Sequence, residues 1–340
     1  MFETKPAGNC LEQGAIMIID FLMALIPVLV SSALATAVSG GTFAGVLDIY
    51  DFLTVILTFA IMIFITGYGK AFLRIFSFKK KFAALELKEL QEIENSLEVA
   101  SKILLYSAAF FPTMYFIYIL YTVWDQGDQC SLGPNSAVLF LSDVYLCLIE
   151  MFIFMFKAKT KKAIILYMAE EDVKSENQER IKLSSVIKVL VGVGLIIGII
   201  IFQILLMKGF NWNNWSSRSL FVAMIDVPSL LTNVIYVLPL IAISGNLREL
   251  LCGCKTIFSN KKISVTKKNL YLNAVRTTVA LNWFAGITTT LIGWIGMFNN
   301  LEDKSALYPN LAVSLIPIFY AILFNLLLTV VEARINKVAE

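Results

Sequence analysis

Two acidic residues, Asp143 and Glu150, stand in a stretch of sequence that is otherwise almost entirely apolar. Because they are seven residues apart, a helix turning about 100° per residue would place both on one face, which Lys157 continues. A charged side chain at the centre of a bilayer costs roughly 2.5–3.5 kcal/mol on insertion scales, so such acids should face protein or water. Carboxylic acids sheltered in this way can take up and release protons. The spacing therefore predicts two protonatable steps along an ion path.

Hydroxyl-bearing residues accompany the two acids. Ser142 directly precedes Asp143, and the preceding apolar stretch carries Tyr115 and Tyr118 at a spacing that shares one helix face. These hydroxyls are candidates to hydrogen-bond the acids of a neighbouring helix. Two other interpretations remain open from the residues alone: the acids could be protonated and only fix helix packing, and the tyrosines could simply pack.

The composition is that of a membrane protein. Of the 340 residues, 58% are hydrophobic and only 16% are charged, and the mean hydropathy is +0.76, whereas soluble globular proteins are rarely so apolar. The sequence has no histidine and five scattered cysteines, without the paired spacing of a disulfide framework or a zinc site. With no nucleotide-binding loop either, it gives no positive evidence for an enzyme, a metal site, a bound cofactor or nucleic-acid binding.

Eight windows are long and apolar enough to span a bilayer, which takes about 20 residues. They are 16–38, 52–69, 103–124, 136–156, 186–207, 229–247, 277–298 and 309–331. Clusters of Lys and Arg follow every second window, so the positive-inside rule places both termini in the cytoplasm. Asp20, near the cytoplasmic end of the first window, is interpreted as interfacial. The sequence thus predicts an all-α integral membrane protein with about eight transmembrane helices.

The two halves of the sequence resemble each other. Two short motifs recur, the first at an offset of 178 residues and the second at an offset of 175. The matching segments are FAGVLD (43–48) with FVAMID (221–226), and LGPNSAV (132–138) with LYPNLAV (307–313). Because each half holds an even number of spans, the two halves would run parallel. We therefore expect two four-helix repeats, 1–165 and 166–340, with the three-residue difference in a cytoplasmic loop.

A further motif joins the last two predicted spans. TTTLIGWIGMFNNLEDKSAL (288–307) continues into YPNLAVSLIPIFYAILFN (308–325), which places polar residues at fixed spacing around a short outer loop. Over residues 221–331 this pattern resembles the MotA/TolQ/ExbB proton-channel family. Thr290 and Gly293 match the family's first element. The positions that match the rest are Asn300, Leu301, Asp303, Ser305, Ala306, Pro309, Ala312, Val313, Tyr320 and Asn325.

The resemblance implies a subunit of an ion-conducting or ion-motive-force-driven complex in a bacterial inner membrane. Such subunits form homo-oligomeric rings around single-pass partners of the MotB/ExbD type, whose membrane Asp carries the proton. It also implies that Thr290 and Asn325 belong to the ion pathway. Three features depart from the family: Pro317 and Ile318 replace its paired threonines, its long cytoplasmic domain is missing, and one chain holds two copies.

Packing is the alternative role for the last two spans. Small or polar residues, Gly293 among them, form stripes that would let these helices approach closely. Pro317 is expected to kink the last span because it removes a helix hydrogen bond. Two other functions also remain open. The chain could be a channel-inactive structural scaffold of a membrane complex, or a small-molecule transporter that uses the same acids for proton coupling.

Overall fold

The computed structural model describes the chain in seven stretches: residues 17–38, 46–76, 85–126, 132–169, 226–256, 263–299 and 307–338. Within these stretches the regular structure is helical, and no β-strand occurs. The all-α class predicted from the sequence is confirmed for the residues described. The predicted fifth span, 186–207, lies outside them, as does the side chain of Tyr118.

Ten α-helices follow one another along the described residues. They are α1 (Met17–Val38), α2 (Ile49–Ile65), α3 (Gly69–Leu73), α4 (Leu87–Gln126), α5 (Leu132–Met168), α6 (Val227–Ile243), α7 (Leu247–Lys255), α8 (Val265–Asn299), α9 (Leu307–Ser314) and α10 (Ile316–Val338). A short 3-10 turn, Arg74–Phe76, extends α3.

Five segments of the described chain are long and apolar enough to cross a membrane: α1, α4, α5, α8, and α9 taken together with α10. A sixth arises if α6 and α7, which are bent by 104° relative to each other, count as one broken span. α2 is apolar but has only 17 residues. The chain is therefore a multi-pass helical membrane protein, as predicted. The total of eight spans and the cytoplasmic position of both termini stay predictions.

α2 and α6 are capped by the same type of residue and are followed by the same type of turn. Asp48 caps α2, its carboxylate accepting backbone N–H groups of the first turn, and Asp226 caps α6 in the same way. Past the last turn stand Gly67 and Gly245, whose φ angles of 81° and 74° lie in the left-handed region that favours glycine. At Gly245 this turn redirects the chain, so that α7 leaves at a steep angle to α6.

Several helices are longer than a bilayer requires. α5 has 37 residues, so at 1.5 Å per residue it extends about 55 Å, against about 30 Å of hydrocarbon. α4 has 40 residues, and its first part, residues 87–104, is rich in charged side chains. This charged beginning continues without a break into the apolar part of α4, which indicates that the helix extends beyond the membrane at that end.

The core lies where α5 passes between α4 and α8. Phe140 of α5 contacts Trp294 and Phe298 of α8, with ring centroids 5.2 and 5.8 Å apart, and Phe154 meets Phe284 at 5.6 Å. Aromatic pairs at this spacing contribute about 0.5–1.5 kcal/mol beyond the burial of their area. α5 is thus enclosed by protein along much of its length, which is the setting that two acids in a membrane helix require.

Small residues bring α8 close to the last helices. A Cβ placed on Gly293 would lie 2.6 Å from the Cβ of Ser314 in α9, and a Cβ on Gly286 would lie 2.6 Å from that of Ala321 in α10. The helix is interrupted between α9 and α10, two residues before Pro317. A proline lacks the N–H that would continue the helix hydrogen bonds, which accounts for an interruption at this place.

Gly286→Ala is expected to destabilise the protein by about 1–3 kcal/mol, because overpacking a close helix contact forces the two backbones apart. The added Cβ would meet Ile318 Cα at 3.2 Å and the Pro317 backbone oxygen at 3.3 Å, as well as Ala321. Gly253→Ala is the matched control, since its Cβ would meet only side-chain atoms. Unfolding with a denaturing detergent measures both free energies, and equal losses would contradict the prediction.

Candidate functional site

The two predicted acids, Asp143 and Glu150, lie on α5, about 10 Å apart along the helix axis. Glu150 is buried, and its Oε1 accepts a hydrogen bond from the Ser101 hydroxyl of α4. Asp143 is half-buried. Its Oδ1 and the Oε2 of Glu150 are shielded from solvent and have no hydrogen-bond partner among the described residues. Both carboxyl groups are therefore sheltered by neighbouring helices rather than presented openly to lipid.

A third acid, Asp51, joins them from the first turn of α2. It is buried, and the Tyr115 hydroxyl of α4 donates a hydrogen bond of 2.9 Å to its Oδ1. Its Oδ2 has no partner in the described part of the chain. The sequence places Asp51 at the edge of a loop, three residues after Asp48, and nothing in that position signals burial. Tyr115 does hydrogen-bond an acid of a neighbouring helix, but the acid is on α2 rather than α5.

Asp51, Asp143 and Glu150 form an acidic column. Asp51 and Asp143 are close enough to repel each other when both are charged. Cys147 lies on α5 between Asp143 and Glu150 and is buried beside Thr288 of α8. The column thus runs from the beginning of α2 to the middle of α5.

Polar atoms without partners occur on α8, the helix that covers this part of α5. In the described residues, the hydroxyl of Thr290 and the indole N–H of Trp294 are buried and lack a hydrogen-bond partner. Thr288 lies beside Cys147, and Trp294 contacts Phe140. Buried polar groups are normally paired, so this set of unpaired groups, next to helices that carry three acids, calls for a functional explanation.

Two predicted site residues lie apart from the acidic column. Ser142 is fully buried, and its hydroxyl lies 3.4 Å from the backbone oxygen of Leu139, one turn earlier in α5. Asn325 of α10 accepts a hydrogen bond of 3.0 Å from Asn282 and donates one of 3.3 Å to the Val279 backbone oxygen, both on α8. Asn325 therefore joins α8 to α10, near the close contacts of Gly286.

Beyond the acidic column, ion pairs join the C-terminal part of α5 to neighbouring helices. Lys157, which continues the face of the two acids, lies 3.4 Å from a carboxylate oxygen of Glu98 on α4. Lys159 forms an ion pair with Asp20 of α1, and both side chains are largely buried. Asp20, interpreted from the sequence as interfacial, is thus enclosed by protein and paired with a lysine of another helix.

Tyr115→Phe is expected to cost about 1–3 kcal/mol of stability, because it leaves a carboxylate oxygen of Asp51 buried without a donor. Tyr106→Phe on the same helix removes the same atom from an exposed side chain and serves as the control. Denaturant titration of both variants in the same detergent measures the difference. A loss for Tyr115→Phe no larger than that for the control would show that the hydrogen bond carries no stability.

Comparisons with known proteins give one local likeness. Motility protein A of Borreliella burgdorferi is 46% identical to this chain over 54 residues, which is 16% of this chain and 21% of that protein. The match therefore covers about a fifth of the relative's length. No family model matches the chain, and no solved structure matches it. The likeness supports a MotA-like relationship for part of the chain.

Proposed function

We propose that this protein is a MotA-like membrane subunit of an ion-driven complex, and that protons or cations pass along its acidic column. The observation that carries the proposal is the enclosure of three carboxylic acids among the helices of a membrane protein, with Asp51 and Glu150 buried and Asp143 half-buried. Each of them has one oxygen without a hydrogen-bond partner in the described structure. The local likeness to Motility protein A points to the same class of protein.

The cost of the buried acids supports a functional role. Transferring a charged carboxylate into an apolar medium is far more costly than any packing gain it brings, so such a group is kept neutral or compensated. Ser101 and Tyr115 satisfy one oxygen each of Glu150 and Asp51. The remaining oxygens are free to exchange a proton or to accept a passing cation, which a purely structural hydrogen bond would not need.

The geometry suggests the order of the steps. Asp51, with Tyr115, stands at the beginning of α2, Asp143 follows on α5, and Glu150 lies about 10 Å further along the axis. That distance is too long for direct proton transfer between carboxyl groups, which takes place over hydrogen-bond distance. Cys147 and its neighbour Thr288 stand between the two acids of α5. The path then ends at the ion pair of Lys157 with Glu98.

The proposal includes a tandem duplication, which matching contacts at the helix ends support. α2 and α6 begin and end at residues separated by 178. The backbone N–H of Asp48 donates to the Tyr145 hydroxyl at 2.8 Å, and that of Asp226 donates to the Tyr320 hydroxyl at 2.9 Å. Tyr145 and Tyr320 are 175 residues apart, as the second motif requires.

Two salt bridges, one in each half, support the same alignment. Glu98 of α4 pairs with Lys157 of α5, and Arg276 of α8 pairs with Glu332 of α10. Glu98 aligns with Arg276 at the offset of 178, and Lys157 aligns with Glu332 at the offset of 175. The acidic and the basic partner are therefore exchanged between the two halves. On this alignment α4 corresponds to α8 at an offset of 178, so the three-residue difference falls between α4 and α5 rather than in the predicted cytoplasmic loop.

The acids belong to the first half alone. At the aligned positions of the second half stand neutral residues, Ser229 for Asp51, Ile318 for Asp143 and Asn325 for Glu150. Asn325 is occupied in helix packing. We therefore assign the ion path to the first half, with the second half as a structural copy that encloses α5. Thr290 remains a candidate for the ion path only as a residue of α8, the helix that covers the acids of α5.

The partner and the location follow from the family resemblance. A single-pass membrane protein of the MotB/ExbD type, in a bacterial inner membrane, would complete the complex. Purification of the protein in mild detergent followed by identification of copurifying chains tests this part. Recovery of a partner with one membrane helix that contains an Asp is the expected result, and recovery of the chain with no such partner would contradict it.

Ion flux in vesicles tests the proposed path. The purified complex is reconstituted, a potassium gradient with valinomycin imposes a membrane potential, and dyes inside report H⁺ or Na⁺ entry. Glu150→Gln is expected to reduce the flux to that of protein-free vesicles, because an amide cannot exchange a proton. Glu92→Gln makes the same chemical change at an exposed site of α4 that lies outside the proposed path and should leave flux unchanged. Wild-type flux no higher than that of protein-free vesicles would favour a channel-inactive scaffold, and wild-type flux in Glu150→Gln would remove Glu150 from the path.

A further inference from the structure

We infer that α7 binds the headgroups of anionic phospholipids through the side that faces away from the protein. We refer to this side, which consists of Arg248, Leu251, Cys252 and Lys255, as the basic face. The inference goes beyond the proposed ion path and does not depend on it. It rests on the exposure and charge of these side chains and on the depth of α7 in the membrane.

The basic face is one continuous face of the helix. Its four residues follow the i, i+3, i+4, i+7 spacing that places side chains above one another. Arg248 and Lys255 are exposed at its two ends, and Leu251, between them, is 55% exposed. The opposite side packs on protein, with Leu250 and Gly253 buried. α7 therefore presents two basic side chains and a leucine together on its outer side.

The positive charge of this face is not balanced within the described part of the chain. Glu249, the acidic residue of α7, pairs with Lys162 of α5 at 2.7 Å. Arg248 and Lys255 form no ion pair with a described residue. Basic side chains that gather without acidic partners attract anions. The basic face is therefore complementary in charge to a phosphate group.

The contacts of α7 place it at headgroup depth. A Cβ on Gly253 would lie 3.3 Å from Ile335 of α10 and 3.4 Å from Tyr271 of α8. Ile335 lies four residues past the predicted span 309–331, and Tyr271 lies six residues before the predicted span 277–298. At 1.5 Å per residue these positions are about 6–9 Å outside the hydrocarbon. The headgroup layer is about 5–8 Å thick on each side.

The bend between α6 and α7 agrees with this depth. α6 has 17 residues and extends about 26 Å, close to the thickness of the hydrocarbon core. After the turn at Gly245, α7 leaves at 104° to α6. α7 therefore runs along the membrane surface rather than through it, as interfacial helices with one apolar and one basic element do.

The first half repeats the pattern on a shorter helix. Lys70 and Leu73 of α3 align with Arg248 and Leu251 at the offset of 178. Lys70 is exposed, and Leu73 is 52% exposed. Orienting a span requires basic residues somewhere in the loop, but it does not require them beside an exposed leucine. The recurrence of both residue types with the same exposure supports a common surface role.

An anionic phospholipid supplies both kinds of contact that the basic face offers. Its phosphate oxygens accept hydrogen bonds from guanidinium and ammonium groups, and its acyl chains cover Leu251. A phosphate ion from solution would meet the same charges but would leave Leu251 in water. The combination of charge and exposed leucine therefore favours a lipid of the bilayer over a dissolved anion.

Fluorescence quenching by brominated lipids tests the binding. Cys252 carries the fluorophore, and the other four cysteines are changed to serine in the full chain, which is placed in phosphatidylcholine nanodiscs. The fraction of brominated phosphatidylglycerol that gives half-maximal quenching is expected to be up to about 30-fold lower than that of brominated phosphatidylcholine, at about 1 kcal/mol per basic side chain. This difference should narrow at high ionic strength, because salt screens exposed charges.

Charge removal assigns the preference to the basic face. Arg248→Gln combined with Lys255→Gln should make the two lipids quench equally, while quenching by phosphatidylcholine stays at the wild-type level because Leu251 is kept. Lys88→Gln with Lys102→Gln is the matched control, since it removes two exposed positive charges from α4 and should keep the preference. Lys255→Gln alone should lower the preference about fivefold, which keeps the test open if the double variant fails to fold.

Three results would overturn the proposal. The first is equal quenching by the two lipids in the wild type, and the second is a preference that survives both Arg248→Gln with Lys255→Gln and Lys255→Gln alone. The third is loss of the preference when inorganic phosphate is added at constant ionic strength, which would show that the face binds a dissolved anion. Ion flux enters none of these outcomes, so they leave the proposed ion path untouched.

Discussion

Replacing Asp143 by Asn is expected to abolish ion flux through the reconstituted complex while leaving the amount of folded protein in the membrane unchanged. An amide has nearly the shape of the carboxylic acid but cannot exchange a proton, so the path would be interrupted between Asp51 and Glu150. Asp143 lacks a hydrogen-bond partner at its buried Oδ1. Removing a charge from that position takes away a desolvation cost and should not weaken folding.

The flux assay described for Glu150→Gln measures this effect, and size-exclusion chromatography measures the folded fraction. Asp143→Glu is the control, because it keeps a titratable group on the same turn of α5 and should retain measurable flux. Wild-type flux in Asp143→Asn would remove Asp143 from the path. Loss of assembly with flux preserved would instead favour the structural scaffold.

Replacing Lys159 by Met is expected to destabilise the protein by about 3–5 kcal/mol, because it leaves the Asp20 carboxylate buried and unpaired. The two side chains are only 13% and 8% exposed, and they join α5 to α1. Asp20 could relieve part of this cost by taking up a proton, so the loss should be smaller at acid pH than at neutral pH. Detergent-driven unfolding of the wild type and the variant at both pH values measures it.

The double variant Lys159→Met with Asp20→Asn should recover most of the loss, since a neutral pair avoids burying a lone charge. Arg74→Met is the matched control for removing one partner of an ion pair. Arg74 and Glu92 are 43% and 46% exposed, and a surface pair contributes only about 0–1 kcal/mol. A Lys159→Met variant no less stable than Arg74→Met would show that the Asp20 pair carries no special weight.

Local patterns were enough to predict the helical elements near this site. The apolar window 136–156 lies within α5, and the spacing of Asp143 and Glu150 placed both acids on one helix whose neighbours shelter them. Such features depend on hydrophobic runs and on a period of about 3.6 residues, both of which are properties of neighbouring positions in the chain.

Such local patterns could not predict which residues distant in the sequence come into contact. Asp51 looked like a loop residue, because its burial depends on Tyr115, 64 positions later. Asp20 looked interfacial, because its partner Lys159 is 139 positions away. The pairing of a buried charge depends on which helices touch, and a window of sequence carries no information on that.

The amino-acid sequence by itself determined that this chain is a membrane protein, where most of its helices lie and which residues could titrate, because hydropathy and helix period are read within a few turns. Tertiary structure alone decided which acids gather into one column and which helix faces are covered. Those outcomes depend on the approach of helices far apart in the chain, such as α5 against α8, because burial and the pairing of polar groups are set by the helices that come into contact.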